Sequence, residues 1–323
     1  MKAIKFEKYG SPEKVLRISE VDKPEPKENE VLVKVYATTI NDYDWSLVRG
    51  KPYLYRLMFG FTKPKNPIPG MELAGIIEKI GSKVKMFKVG DAVFGDISQY
   101  GFSSFADFCC VDERALLKKP DYLSMEEAAA IPHALGLAFQ AFKQIGGIKD
   151  GQKILINGAG GGVGSFAIQL VKMHNCNVTG VDSANKIERL KKLGFDNVID
   201  YKKENFTKNG EKYDVVLDCK TNKPAYSFLR SLSSGGKYIT IGGEINNLIM
   251  VFVLGKIISL FSSKQLKVLA LKPNYGIAEV LELIKENRLK TQIDGPYKFE
   301  EIPKLIQYFG NGKHNGKIVV KLN

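Results

Sequence analysis

The chain is poor in the residues that most metal and disulfide chemistry requires. Its 323 residues hold 4 cysteines, 3 histidines and 1 tryptophan. Cys109, Cys110, Cys176 and Cys219 show no C-x-x-C spacing, and neighbours on a strand point to opposite faces, so Cys109 and Cys110 cannot share a metal. They read as buried thiols of a reducing compartment. Long hydrophobic runs are also missing. The longest, residues 248–261, is interrupted by Lys256 and is too short to cross a bilayer. The N-terminus, Met1-Lys-Ala-Ile-Lys-Phe-Glu7, alternates apolar and polar residues and lacks the apolar centre of a signal peptide. These absences point to a cytoplasmic protein with no integral membrane segment. The 248–261 stretch, with Lys256 and Lys264 close by, leaves room for peripheral membrane association; a substrate-pocket helix or a dimer contact is the plainer reading, and the protein is expected to be a monomer or a homodimer.

Acidic residues are in deficit, giving a net charge of +13. The lysines are nevertheless spread along the chain among Asp and Glu, without a basic run interleaved with aromatics, so a solvated lysine-rich surface is expected and no nucleic-acid partner. Hydrophobic content of 44% and charged content of 26% are those of an ordinary globular protein, and the length suits two domains.

The most informative segment present is Lys153-Ile-Leu-Ile-Asn-Gly-Ala-Gly-Gly-Gly-Val-Gly164, a strand-like run that turns on glycines into the helical pattern of residues 165–173. Such a turn lets a pyrophosphate approach the main chain and rest against unpaired helix N–H groups and the positive end of the dipole. Read from Gly158, G-x-G-x-x-G fails at Val163; read from Ala159 it becomes A-x-G-x-x-G, with Gly161 and Gly164 in the second and third places. A second apolar strand ends at Asp182, about 20 residues on, where an acid or its substitute meets the adenosine ribose. Strand patterns at residues 213–218 and 236–242 complete an alternation of strand and helix from about Asp150 to Gly243, which predicts a doubly wound parallel sheet. Residues 1–121 differ: short alternating strands such as Val31-Leu-Val-Lys-Val-Tyr36 lie between Pro-rich turn clusters and predict a compact, barrel-like β domain. A capping box at Ser124 and Glu127 opens the transition between the two.

These residues resemble the medium-chain dehydrogenase/reductase superfamily, and within it the zinc-independent quinone oxidoreductase branch. The resemblance rests on Asn41-x-x-Asp44 with Arg49-Gly50; Gly70-Met-Glu72 with Ala74-Gly75; Val89-Gly-Asp-Ala-Val-Phe-Gly95; Ala128-Ala-Ala-Ile-Pro132; the 159–164 loop; Val198-Ile-Asp-Tyr201; and Gly316-Lys-Ile-Val-Val320. It implies an α/β fold: a Rossmann domain over residues 122–268 and a GroES-like β-barrel catalytic domain over residues 1–121, completed by a return segment at 269–323. Zinc-dependent relatives carry a ligand cysteine near position 41 and a histidine in Gly-His-Glu, where this chain has Asn41 and Met71. An amide and a thioether do not replace a thiolate and an imidazole on zinc, so no zinc is expected.

The chemistry implied is hydride transfer from NAD(P)H to a quinone or an α,β-unsaturated carbonyl, whose conjugation spreads the developing charge. A non-catalytic, redox-sensing dinucleotide binder of the same fold is the alternative. The resemblance places Asn41 on the floor of the cleft and Tyr53 at the substrate mouth as catalytic candidates. Ala159, Gly161, Gly162, Val163 and Gly164 would cradle the pyrophosphate, with Gly242, Gly243 and Asn41 completing the cofactor contacts. Asp182 suits the ribose hydroxyls of NAD(H), whereas Ser183, Lys186 and Tyr201 stand where NADPH-using relatives hold the 2′-phosphate, so NADP(H) is favoured over NAD(H). His133 is a conceivable proton donor, while His174 and His314 read as capping or surface residues.

Overall fold

A computed structural model describes residues 1–322 and divides the chain into two compact units. One comprises Met1–His133, Pro273–Ile277 and the segment from Ile293 onward; the other comprises Ala134–Lys272 and Ala278–Gln292.

The first unit is built on a 7-stranded sheet. Along it run Ile293–Lys298, Lys317–Lys321, Glu30–Thr39, Glu72–Ile80, Ala92–Asp96 and Leu117–Lys118, with Phe108–Asp112 also paired to Glu30–Thr39. Glu30–Thr39 holds the centre: Val31, Leu32, Val33, Val35 and Ala37 are all buried, so side chains on both of its faces are covered, with the partly buried Lys34 and Tyr36 between them. It is kinked against Glu72–Ile80 by register shifts, and beside one of them a Cβ on Gly75 would lie 2.1 Å from the Lys34 carbonyl oxygen. Antiparallel pairing sets Val319 opposite Thr39 and Leu73 opposite Thr38. The register therefore gathers Thr39, Asn41, Glu72 and Lys317 at one end of three adjacent strands. The capping box opens the helix Met125–Ala130, with the Glu127 N–H donating to Ser124 Oγ at 3.1 Å and the Ser124 N–H donating to Glu127 Oε2 at 2.9 Å.

The second unit is a 6-stranded parallel sheet in the order Asn197–Asp200, Asn177–Asp182, Lys153–Asn157, Tyr213–Asp218, Leu232–Thr240, Gln265–Val268. The first strand in sequence, Lys153–Asn157, lies inside the sheet, and the chain winds outward from it in both directions. That reversal opens a crevice at the carboxyl ends of Lys153–Asn157 and Tyr213–Asp218, the place where parallel α/β sheets take ligands. Ile154, Leu155 and Ile156 are buried, as the unbroken apolar run requires.

The expectation for His314 needs correction. It is buried at 5% exposure in the first unit, and its ring stacks on Phe309 with centroids 4.7 Å apart. The polar residues flanking it suggest a surface loop, but the Phe309 ring, five positions earlier in the chain, draws the imidazole inward.

Candidate functional site

In the second unit the strand Lys153–Asn157 passes through Gly158, held at φ +85°, into the helix Gly162–Val171 with Gly161 at its N-cap. No side chain caps that helix. Its first-turn N–H groups, those of Gly162, Val163 and Gly164, have no carbonyl one turn back to bond to, and Gly161, Gly162 and Val163 are half-buried. A half-open, uncapped helix start on a glycine loop fits a pyrophosphate. Gly164 serves packing instead: a Cβ there would lie 2.4 Å from the Ala159 carbonyl oxygen and 2.6 Å from its Cα.

Asp182 closes the neighbouring strand Asn177–Asp182 and turns its carboxylate back onto this loop. Oδ2 accepts from the Gly160 N–H at 2.8 Å, and Oδ1 accepts from the Ser183 N–H at 2.8 Å. Lys186 lies beneath, 1% exposed, its Nζ 3.7 Å from Asp182 Oδ1. A Cβ on Gly160 would meet the Lys186 side chain at 2.7 Å, so Gly160 owes its identity to this pair, a role the motif register does not show. The two residues expected to compete over the cofactor's 2′ position are thus partners, and the lysine offsets the carboxylate. Ser183 and Tyr201 stay accessible at the ends of their strands, Tyr201 just beyond Asn197–Asp200. Gly242 and Gly243 follow Leu232–Thr240 with φ of 155° and 131°, and a Cβ on Gly243 would meet the Lys220 carbonyl oxygen at 2.3 Å.

The first unit holds a buried polar cluster. Asn41 precedes the helix Asp42–Arg49 and closes a capping box, its N–H donating to Asp44 Oδ2 at 2.9 Å. Its Nδ2 donates to Thr39 Oγ1 at 3.1 Å and to Glu72 Oε2 at 2.9 Å, and its Oδ1 accepts from Lys317 Nζ. Lys317 Nζ also lies 2.6 Å from Glu72 Oε2, in a pair only 4% and 0% exposed. Both hydrogens of the Asn41 amide are thus engaged within the cluster. Asp44, fully buried, accepts from the N–H groups of Asn41 and Gly70; burial outweighs these bonds and pushes its carboxyl up to about 7.

His133 ends this unit. Its backbone N–H donates to Glu72 Oε1 at 2.6 Å, Nδ1 is 2.9 Å from Asp96 Oδ2, and Nε2 is 3.4 Å from Asp42 Oδ1. Burial alone would lower its basicity, but the bonds to the two carboxylates and their charge push it up to about 10. It is an imidazolium at neutral pH, bridging the start of one helix to the end of Ala92–Asp96. Tyr53 stands apart from this cluster, largely exposed, with the Arg56 guanidinium 5.0 Å from its ring centroid. Met71 is a fully buried core side chain. Among the described residues no group of three or more His, Cys, Asp or Glu has metal-holding geometry. The donor set around Asn41 is an amide, a hydroxyl and a carboxylate already paired with an ammonium, which does not fit zinc.

Sequence reasoning did not single out Glu72, Lys317, Asp96 or Gly160 as parts of these sites. Glu72 and Lys317 stand in recognisable motifs, but nothing local announces that the two motifs meet.

A parallel unit with a glycine-loop helix start and a separate β unit are the parts expected of a dinucleotide-binding oxidoreductase. Residues 27–121 match the alcohol dehydrogenase GroES-like domain family and residues 193–320 the zinc-binding dehydrogenase family. The chain is 36% identical over 334 residues to the chloroplast envelope quinone oxidoreductase homolog of Arabidopsis thaliana, covering 99% of this chain and 98% of that one. It is 30% identical over 332 residues to the NADPH-dependent alkenal/one oxidoreductase, chloroplastic, of the same plant, covering 99% of this chain and 79% of that one. Among solved structures, the quinone oxidoreductase from Coxiella burnetii superposes with a TM-score of 0.86 at 26% identity, covering 100% of this chain and 99% of that one. The chain belongs to the medium-chain dehydrogenase/reductase superfamily, in its quinone oxidoreductase-like branch. Its fold is α/β, a GroES-like domain with a parallel Rossmann-like sheet, and it is an oxidoreductase.

Proposed function

We propose that the protein is an NADPH-preferring reductase of quinones or α,β-unsaturated carbonyls that works without zinc. The observation that carries this reading is the Asn41–Glu72–Lys317 cluster: at the position where a metal-dependent relative needs open ligands, this chain has a closed ion pair with its amide committed. The relatives' names, quinone oxidoreductase and NADPH-dependent alkenal/one oxidoreductase, support the substrate class and the cofactor. A bound NADPH supplies the hydride. The chain's part is to hold the pyrophosphate on Gly161–Gly164 and the 2′ end beside Ser183, Lys186 and Tyr201. Tyr53 keeps an exposed hydroxyl as a donor to the acceptor's oxygen, which must be stabilised as charge develops. The four free thiols suit a reducing compartment, the cytoplasm among them.

NADPH oxidation followed with a simple quinone and a simple enone tests the reading. Tight dinucleotide binding with no turnover on either acceptor would leave the redox-sensing alternative. Turnover is expected to survive exhaustive chelation, with metal analysis returning well under one zinc per chain. One zinc per chain that is required for activity would overturn the zinc-free reading.

Lys186→Ala is expected to weaken NADPH by about 1–2 kcal/mol, roughly tenfold in affinity. NADH should lose less. The variant removes the ammonium that offsets Asp182, leaving a bare carboxylate beside the 2′ position, which repels a phosphate and still accepts from hydroxyls. Equal losses for the two cofactors in fluorescence titration would mean that Lys186 serves only the loop.

A further inference from the structure

The helix Ile245–Phe261 is apolar all round, with Lys256 as its one charge. Helices of that kind are normally enclosed. Here Val251 and Gly255 are buried, and Met250, Leu254 and Ile258 pack on the second unit's core. The other side, Ile249, Phe252, Val253, Ile257, Leu260 and Phe261, faces outward, with Phe261 86% exposed. A contiguous apolar face of this size on an otherwise ordinary surface marks a contact.

The charge pattern of the helix and of the segment that follows it identifies the occupant. From Ile245 to Ala278 there is no Asp or Glu, while Lys256, Lys264, Lys267 and Lys272 fall within the stretch. Lys256 rises from the middle of the exposed face, its Nζ 4.5 Å from the Phe252 ring centroid, so the cation is carried on the apolar surface itself. A subunit contact would have to bury that ammonium, whereas an anionic lipid surface takes it at the headgroups while the flanking Phe, Leu and Ile enter the acyl boundary. Aromatic and aliphatic side chains interleaved with Lys and Arg are the composition of an interfacial membrane contact.

We infer that the protein docks reversibly on anionic bilayers through the apolar face of Ile245–Phe261. No helix among the described residues is long and apolar enough to cross a membrane, so the contact is peripheral. The inference is independent of the substrate and cofactor proposed above.

The test is cosedimentation of the full chain with phosphatidylcholine vesicles, with and without about one-third phosphatidylglycerol. Binding is expected only with the anionic lipid and should fall at least tenfold when salt is raised to 0.5 M, where screening is short-ranged. Phe252→Glu/Leu260→Glu is expected to lower partitioning at least tenfold. Because these side chains are exposed, circular dichroism and the melting temperature should not change. Wild-type protein that ignores both vesicle types overturns the inference, as does unchanged binding by the variant. So does a wild-type dimer, seen by sedimentation, that Phe252→Glu/Leu260→Glu splits without any vesicle binding; that result would make the helix a subunit contact.

Discussion

Valine at Gly164 is expected to lower the melting temperature by roughly 6–12 °C, taking a cost of about 3 kcal/mol for a forced clash and about 2–4 °C per kcal/mol for a domain of this size. The new Cβ would lie 2.4 Å from the Ala159 carbonyl oxygen, backbone against backbone, so no side chain can swing away to relieve it. The helix Gly162–Val171 must then lift from the strand that feeds it, with or without cofactor. Gly161→Val should behave in the opposite way. Gly161 has φ −85° and ψ −177°, extended backbone open to any residue, and it is half-buried. Stability should therefore change little, while a branched side chain at the mouth of the helix start displaces the pyrophosphate. Dinucleotide affinity is expected to fall about a hundredfold or more, the loss of two or three charge-assisted N–H contacts. Differential scanning calorimetry and fluorescence titration on the two variants separate the outcomes. Normal NADPH binding by Gly161→Val would reduce the loop to a turn and remove the basis of the proposed function.

The contrast between these two glycines also shows what local sequence can reveal. The strand, the glycine turn and the helix are consecutive, so their chemistry is written in one stretch of the chain and the parallel unit could be read directly. The capping box at Ser124 and Glu127 was legible for the same reason. Lys186 was seen as a cation near the cofactor, but its burial against Asp182 depends on Gly160 leaving room for its stem, a packing fact with no periodicity. The helix Ile245–Phe261 shows the opposite failure. An all-round apolar helix has no polar stripe, so its sequence gives no sign of which side the sheet covers and which is left outward. The burial of His314 is not legible because polar neighbours in sequence do not report an aromatic neighbour in space. The buried cluster was the least legible feature: Asn41 was noticed for what it lacks as a metal ligand, and its real partners arrive on strands from opposite ends of the chain.

Those partners give the other large expected effect. Lys317→Met should destabilise the first unit by about 3–5 kcal/mol, the usual cost of leaving one member of a buried ion pair alone. Glu72 would keep the bonds from Thr39, from Asn41 and from the His133 N–H, yet have no cation within a fully buried site. Glu72→Gln should also destabilise: its amide oxygen can still accept from Thr39 and Asn41, but its NH2 then faces the His133 N–H and that bond is lost, while the stranded ammonium of Lys317 retains Asn41 Oδ1. The combined Glu72→Gln/Lys317→Met variant is expected to recover part of the loss, since no unpaired charge remains and the methionine fills much of the lysine's volume. Urea titration of all four proteins, read at the first unfolding transition, gives the coupling between the two positions. A double variant as unstable as the sum of the singles would show that the pair acts through shape alone. Its recovery, together with lost turnover, would show that the charges are kept for what they hold in place: Asn41 and His133, fixed by one carboxylate at the end of three strands.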